Sequence, residues 1–135
     1  MKKIAILVLI ISCLYGCDST EENNTDSYNT LIGTWKHTYS NLCEETHTFS
    51  SSNNWRVTAL NEISIGTFTF SENETDTKHS MLITVTYDNG LSDCNGNSSL
   101  DLGSVLIYVK FPSSSIMEWY IDINSTTPNF TLEKI

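Results

Sequence analysis

Residues 31–40, "LIGTWKHTYS", mark the point at which the chain acquires the pattern of a folded domain. The preceding stretch "DSTEENNTDSYNT" (18–30) contains almost no apolar side chains and predicts a flexible tether that adds nothing to a core. From residue 31 onward apolar residues recur at alternate positions, which is the period of a β-strand. The sequence therefore places the start of the domain at residue 31.

The same two-residue period recurs through the rest of the chain. It is clearest in "SMLITVTY" (80–87), where Met81, Ile83, Val85 and Tyr87 share one predicted face. Eight strands are predicted, at about 32–39, 45–50, 54–60, 63–70, 79–87, 104–111, 115–123 and 129–134. Short connections between successive strands favour an antiparallel meander, and closing it removes exposed edges. The prediction is an all-β fold, an up-and-down antiparallel barrel of about eight strands, with a two-sheet sandwich as the alternative.

Two strands carry finer expectations about which side chains face inward. In "ISIGTFTF" (63–70) a bulge at Gly66 would bring two isoleucines and two phenylalanines, Ile63, Ile65, Phe68 and Phe70, onto one face. In "IMEWYIDI" (116–123) the period places four side chains together, Met117, Trp119, Ile121 and Ile123.

Gly33-Thr34-Trp35 on the first strand resembles the Gly-x-Trp motif with which lipocalins begin, and the resemblance is to the small bacterial lipocalin-like lipoproteins. It covers residues 31–135. The resemblance implies that Trp35 plugs one end of the barrel and that Gly33 lets the chain pass close by. It also implies a basic residue stacked on the tryptophan, for which Lys134 is the candidate. The domain is shorter than typical lipocalins, which argues against a roomy ligand cavity.

The N-terminus has the features of an export signal. "MKK" is a basic start, an apolar run follows, and Leu14-Tyr15-Gly16-Cys17 resembles the lipobox of bacterial lipoproteins. The resemblance implies a signal peptide over 1–16, acylation of Cys17, and a tether over 17–30 that joins the membrane to the barrel. An ordinary secretory signal is the alternative. The expected location is the bacterial cell envelope, with the outer membrane or cell surface favoured over the inner membrane.

The charge of the chain restricts its partners. The formal net charge is −9, and loss of Lys2 and Lys3 with the leader would leave five basic residues against 16 acidic ones, or −11. Such a charge argues against nucleic acid and against direct attraction to anionic lipid. It keeps an exported domain soluble and would steer it toward a basic protein. We expect a monomer.

The cysteines outside the leader and the lipobox are Cys43 and Cys94. In an oxidising compartment two such cysteines favour a disulfide. Connections in an up-and-down barrel alternate between its ends, so the first and fifth connections, which contain these cysteines, meet at the end opposite Trp35. The long connection from Asp88 to Gly103 must then lean over the barrel mouth as a lid.

Catalytic and metal-binding patterns are weak. His37, His47 and His79 could be metal ligands, but no acidic third ligand has an obvious place, so surface or rim histidines are favoured. Glu44 and Glu45 are adjacent, so they point to opposite faces and are interpreted as solvated loop charges. "DCNGNSSLD" (93–101) only faintly resembles a calcium loop. No Gly-x-Ser-x-Gly motif is present in the sequence. The sequence therefore predicts no catalytic residues, no metal and no cofactor.

Two functions remain open. The first is a non-enzymatic module that binds a small apolar ligand or a surface partner. Its candidate ligand-binding residues are Trp55, Val57, Met81, Ile83, Val85 and Trp119. The second is a protein-interaction lipoprotein, which in size, anchor, barrel and single disulfide resembles the membrane-bound lysozyme inhibitors and would bind a basic enzyme. A continuous apolar cavity of about 300 Å³ would favour the first, and a solid interior the second.

Overall fold

A computed structural model describes residues 27–72 and 77–135 of the chain. The predicted signal peptide (1–16), Cys17 and most of the predicted tether lie outside these residues. Within the described residues, no helical segment has both the length and the apolar character needed to cross a membrane.

The described residues form one short helix and eight strands. They are α1 (Ser27–Leu31), β1 (Gly33–Thr38), β2 (Glu44–Phe49), β3 (Asn54–Ala59), β4 (Glu62–Ser71), β5 (His79–Asp88), β6 (Gly103–Ser113), β7 (Ile116–Tyr120) and β8 (Phe130–Lys134). Each strand pairs antiparallel with the next, and β8 closes the barrel on β1. The predicted up-and-down barrel of eight strands is confirmed, and the sandwich alternative is wrong.

The barrel interior is filled by apolar side chains, because alternate residues of every strand point inward. Eight large side chains are at most 2 % exposed and belong to one cluster: Leu31, Trp35, Phe49, Met81, Ile83, Val109, Met117 and Leu132. The inside of the barrel is therefore a packed hydrophobic core and not an open channel.

Helix α1 includes residues 27–30, which the sequence assigned to the tether. The sequence assigned 18–30 to a tether without core contacts, yet Thr30 is buried and Tyr28 packs against the core cluster. The Tyr28 hydroxyl also donates to Asn53 Oδ1 over 2.8 Å. Tyr28, one aromatic residue in a polar stretch, thus joins the core at this end of the barrel.

The predicted irregularity at Gly66 is present, but the extra residue lies on the other strand. Ile65 pairs with Tyr87 and Gly66 with Val85, so Thr86 of β5 has no counterpart. A Cβ on Gly66 would lie 2.0 Å from the carbonyl oxygen of Thr84, so only glycine permits this close approach.

The bulge overturns two expectations about inward faces. Strand β4 alternates without interruption, so Ile63 and Ile65 share the face opposite Phe68 and Phe70, and Ile65 is 40 % exposed. On β5 the alternation shifts by one residue, so Tyr87 is exposed and Asp88 is buried. A third expectation fails because β7 ends at Tyr120: Ile121 is in the following loop and is exposed.

Candidate functional site

The two ends of the barrel differ in construction. The end that we call the plugged end carries α1, the connections 50–53 and 114–115, and the end of β4 at Ser71. The opposite end, here the lid end, carries the connections 39–43, 60–61 and 89–102, while the β7–β8 connection (121–129) lies beside Lys78, whose ammonium donates to the Ile123 and Ser125 carbonyls. We use "lid" for residues 89–102, which form the longest connection between described strands.

Trp35 closes the plugged end. Its side chain is fully buried, and its indole N–H donates to the Leu31 carbonyl over 2.8 Å. The Lys134 ammonium lies 5.1 Å from the centre of its ring and donates to the Thr30 carbonyl. A side chain at Gly33 would collide with the Lys134 stem, at 2.8 Å, so the glycine makes room for this cation. Gly33, Trp35 and Lys134 therefore act together as a structural plug.

The six candidate ligand-binding residues all face the lumen. Trp55, Val57, Met81 and Ile83 are buried members of the core cluster, and Val85 and Trp119 pack against it partly buried. Four pockets of 260 to 290 Å³ are lined by described residues, and Trp55, Val57, Met81, Ile83 and Trp119 line none of these four. Val85 lines a pocket at the rim near Gly103. Their ligand-binding role stays a prediction.

A polar cluster occupies the lumen below the lid. Glu45 Oε1 accepts from His47 Nε2 over 2.5 Å, and its other oxygen accepts from the Tyr39 hydroxyl over 2.8 Å. The Trp55 indole donates to His47 Nδ1, so the imidazole proton is on Nε2. Burial opposes the charge of Glu45, but the hydrogen bonds from His47 and Tyr39 outweigh it and hold the pKa of the carboxyl below its usual value.

Two neighbours complete this cluster. Burial and the nearby Glu45 carboxylate raise the pKa of the Tyr39 hydroxyl, so it remains a donor. The Trp119 ring contacts His47 edge-on at 4.6 Å, and its indole nitrogen is buried without a hydrogen-bond partner. The interpretation of Glu45 as a solvated loop charge is therefore wrong. Its position on β2, two residues before His47, is the signal that could have placed it inside.

The barrel seam beside this cluster is short. β1 and β8 pair only through Trp35 with Lys134 and Lys36 with Glu133. Beyond these pairs the His37 ring fills the gap, and its Nδ1 donates to the Thr131 carbonyl over 2.9 Å. A pocket of about 290 Å³ lies at the seam, lined by Lys36, His37, Thr38, Thr131 and Glu133. In the described parts of the chain, no group of three His, Cys, Asp or Glu side chains is placed to hold a metal ion.

The predicted disulfide is present, and it joins the lid to the first connection. Cys43 and Cys94 are bonded with their Cα atoms 5.6 Å apart, and Asn41 Nδ2 donates to the Cys94 carbonyl. The lid is also held by the β3–β4 turn, because the Asn61 amide donates to the Ser92 carbonyl. These contacts span the mouth, as the lid prediction required.

Asp88 anchors both ends of the lid. Its carboxylate accepts from the Gly90 amide over 2.6 Å, from the Asp101 amide over 3.4 Å and from the Ser64 hydroxyl over 2.8 Å. Burial opposes its charge, but these bonds lower the pKa of the carboxyl. Sequence reasoning missed this residue because the bulge in β5, which turns it inward, depends on contact with β4.

Glu62 lies beside this anchor. The Ser64 hydroxyl is also within 3.3 Å of its carboxyl, so the two acids share one hydroxyl neighbour. Burial, and then the negative charge of Asp88, raise the pKa of Glu62 to about 7. The lid end therefore contains one carboxyl that titrates near neutral pH.

The outer surface of the lid end is apolar and acidic at once. Five leucines are 53 to 82 % exposed on its loops: Leu42, Leu60, Leu91, Leu100 and Leu102. Leu42 and Leu60 sit at turn positions with φ of 66° and 56°, which branched side chains rarely adopt. Of the carboxylates at this end, Glu44 and Asp101 are exposed, Glu62 and Asp93 are partly exposed, and Glu45 and Asp88 are turned inward.

Comparisons with known proteins do not assign this chain to a family. No protein-family model, no curated protein and no solved structure matches the chain. The fold and the lid end define a small eight-stranded barrel that is compatible with a binding module.

Proposed function

We propose that this protein is a non-enzymatic binding module of the bacterial cell envelope, and that it binds a surface partner in preference to a ligand inside the barrel. The observation that carries the proposal is the filled interior. Met81, Ile83 and Met117 are at most 2 % exposed, and the mouth above them is bridged by the disulfide-linked lid. An eight-stranded barrel is just wide enough for its own side chains or one small ligand. Here the side chains occupy that space.

The lipocalin-like character of the module is part of the same proposal. Trp35, Gly33 and Lys134 have the arrangement expected from the resemblance at the plugged end. Cys17 as a lipidated N-terminus is supported by the lipobox-like sequence alone. Several acyl chains would hold the protein on a membrane stably, with the barrel extending from it on the chain that precedes residue 27. We place it on the outer membrane or the cell surface.

The test of the interior is a titration with a neutral naphthylamine dye whose fluorescence rises in apolar pockets. The full chain carrying Cys17→Ser, which cannot be acylated, avoids partition of the dye into detergent. We expect no saturable binding. A Cys43→Ser/Cys94→Ser version is the matched control, and it too should exclude the dye, because packing and not the lid fills the lumen. One-to-one binding with Kd below about 10 μM and quenching of tryptophan fluorescence would restore the apolar-ligand function.

The anchor has its own test. Mass spectrometry of the native protein should find an acylated N-terminal Cys17, and the protein should partition into detergent. A Cys17→Ala variant that still partitions fully with membranes would contradict lipidation.

A further inference from the structure

Exposed leucines are concentrated on one end of the molecule. Among residues 27–72 and 77–135, five of the seven exposed leucines lie at the lid end, and the other two, Leu82 and Leu106, form a cross-strand pair on the outer wall. We name the five the leucine patch: Leu42, Leu60, Leu91, Leu100 and Leu102. Large apolar side chains grouped on one surface mark interaction sites more often than scattered ones do.

The members of the patch are held together by the lid. Leu42 precedes Cys43, which is bonded to Cys94 of the lid. Leu60 precedes Asn61, whose amide and carbonyl bond to Ser92 and to Asn89 of the lid. Leu100 approaches Gly90, since a Cβ there would lie 3.2 Å from its Cδ2 atom. Three connected loops therefore place their leucines at one end of the barrel.

The lid around these leucines is held by contacts within the chain. Asp93 Oδ1 accepts from the amides of Asn95 and Asn97 over 2.8 and 2.7 Å, which closes the turn that contains Cys94. The disulfide holds Cys94, and the Asp88 carboxylate holds Gly90 and Asp101 near the two ends of the lid. A surface ordered in advance loses little conformational entropy on binding, so its apolar area contributes more fully to affinity.

The charge around the patch selects the partner. The stretches 39–45, 59–64 and 86–104, which build the lid end, contain six Asp or Glu and no Lys or Arg, and two of the six, Glu45 and Asp88, are bonded inside the barrel. Glu44 and Asp101 are exposed, and Glu44 is bonded to Lys36 of β1. A second copy of this chain or an anionic membrane would meet like charge at this surface, which is unfavourable. Lys and Arg side chains would meet opposite charge.

We infer that the lid end is a docking surface for a basic protein, in which the leucine patch inserts into apolar recesses of the partner while the surrounding carboxylates attract its Lys and Arg side chains. This inference rests on the proposed surface-binding function and names the surface and the chemistry of the partner. The acidic groups speed encounter, and the leucines supply the contact area that keeps the complex together.

The test uses an amphipathic peptide of Leu and Lys as a minimal stand-in for such a surface. Two matched peptides replace Lys by Glu or Leu by Ser. Amide chemical shifts of the full chain with Cys17→Ser are followed during titration. We expect the Leu–Lys peptide to perturb lid-end amides with an affinity that falls as salt rises. The Leu–Glu peptide should not bind, and the Ser–Lys peptide should bind at least tenfold more weakly.

Paired variants separate this surface from the rest of the molecule. Leu42→Ser with Leu100→Ser should weaken the Leu–Lys peptide about tenfold or more, because each leucine loses apolar area on binding. Leu82→Ser with Leu106→Ser, on the outer wall, is the control and should leave the affinity unchanged. Asp101→Asn should make the affinity for the Leu–Lys peptide less dependent on salt, because one attractive charge is removed.

The inference is overturned if the shifts map to the outer wall, if the Leu–Glu peptide binds equally well, or if the Leu–Lys peptide does not bind at millimolar concentration. It is also overturned if sedimentation shows a dimer that the patch variants abolish, since the patch would then serve a second copy. Entry of the naphthylamine dye into the lumen would instead count against the proposed function alone.

Discussion

Replacing Glu62 by Gln is expected to make the protein more stable at pH 8 and to flatten the dependence of its stability on pH. In the folded protein burial and the charge of Asp88 raise the pKa of Glu62 to about 7, from its ordinary value of 4.5. The folded state therefore holds a proton that the unfolded chain has already released between these two pH values. The contribution of Glu62 to stability is fully present below pH 4.5 and is lost as the pH rises through about 7.

The size of this loss follows from the difference between the two pKa values. At 1.36 kcal/mol for each pH unit, the full difference corresponds to about 3 kcal/mol. Glu62 is only partly buried, and solvent screens its interaction with Asp88, so we expect about 1 to 2 kcal/mol. The carboxylates of Glu45, Asp88 and Asp93 act with the opposite sign. Their lowered pKa values mean that their stabilisation is lost as the pH falls below about 4.

The assay is urea unfolding at intervals from pH 4 to pH 8.5, with carbon chemical shifts of the Glu62 carboxyl as a direct titration. The wild type should be most stable near pH 5, and Glu62→Gln should keep that stability up to pH 8.5. Glu44→Gln, at an exposed carboxylate of the same end, is the matched control and should retain the wild-type slope. A Glu62 pKa near 4.5, or an unchanged slope in the Gln variant, would refute the reasoning.

Three further substitutions test the plug, the disulfide and a turn. Trp35→Ala should cost roughly 3 to 5 kcal/mol in urea unfolding, as for other fully buried large side chains, and a loss below about 1 kcal/mol would mean that it is no plug. Replacing Cys43 and Cys94 by Ser should cost about 4 kcal/mol, because the bond closes a separation of 51 residues, and should speed amide exchange in the lid. Equal protection of the lid in that variant would contradict its anchoring. Leu60→Gly should raise the stability by up to about 1 kcal/mol, because glycine adopts the left-handed backbone conformation at this position without strain. A clear loss of stability would show that the Leu60 side chain has a packing role.

Strand positions were predictable because they depend on local pattern. All eight predicted strands overlap the observed ones, and seven differ at each end by no more than two residues. The exception is β7, which ends at Tyr120, whereas the apolar pattern continues to Ile123. Asn129 explains the difference: its carbonyl side-chain oxygen accepts from the Ile121 amide, a contact with the following loop that no period reveals.

The candidate site was less predictable because its residues are brought together by contacts between strands. The bulge that buries Asp88 arises where Gly66 of β4 meets the Thr84 carbonyl of β5, and the alternation within either strand alone does not locate it. Glu45 looked like a solvated charge until its partners, His47 and Tyr39, were placed around it. A buried carboxylate needs hydrogen-bond donors around it, and only the folded structure shows which residues supply them.

The sequence by itself determined the architecture of this protein: eight strands with a period of two, short connections that make neighbours antiparallel, and the parity that brings Cys43 and Cys94 to one end. These features follow from local backbone geometry and chain connectivity. Only the tertiary structure decided which side chains occupy the mouth, where a bulge changes the inward face and a lid gathers leucines from three connections. Burial and exposure there depend on distant segments packing together, and a local pattern carries no information about that packing.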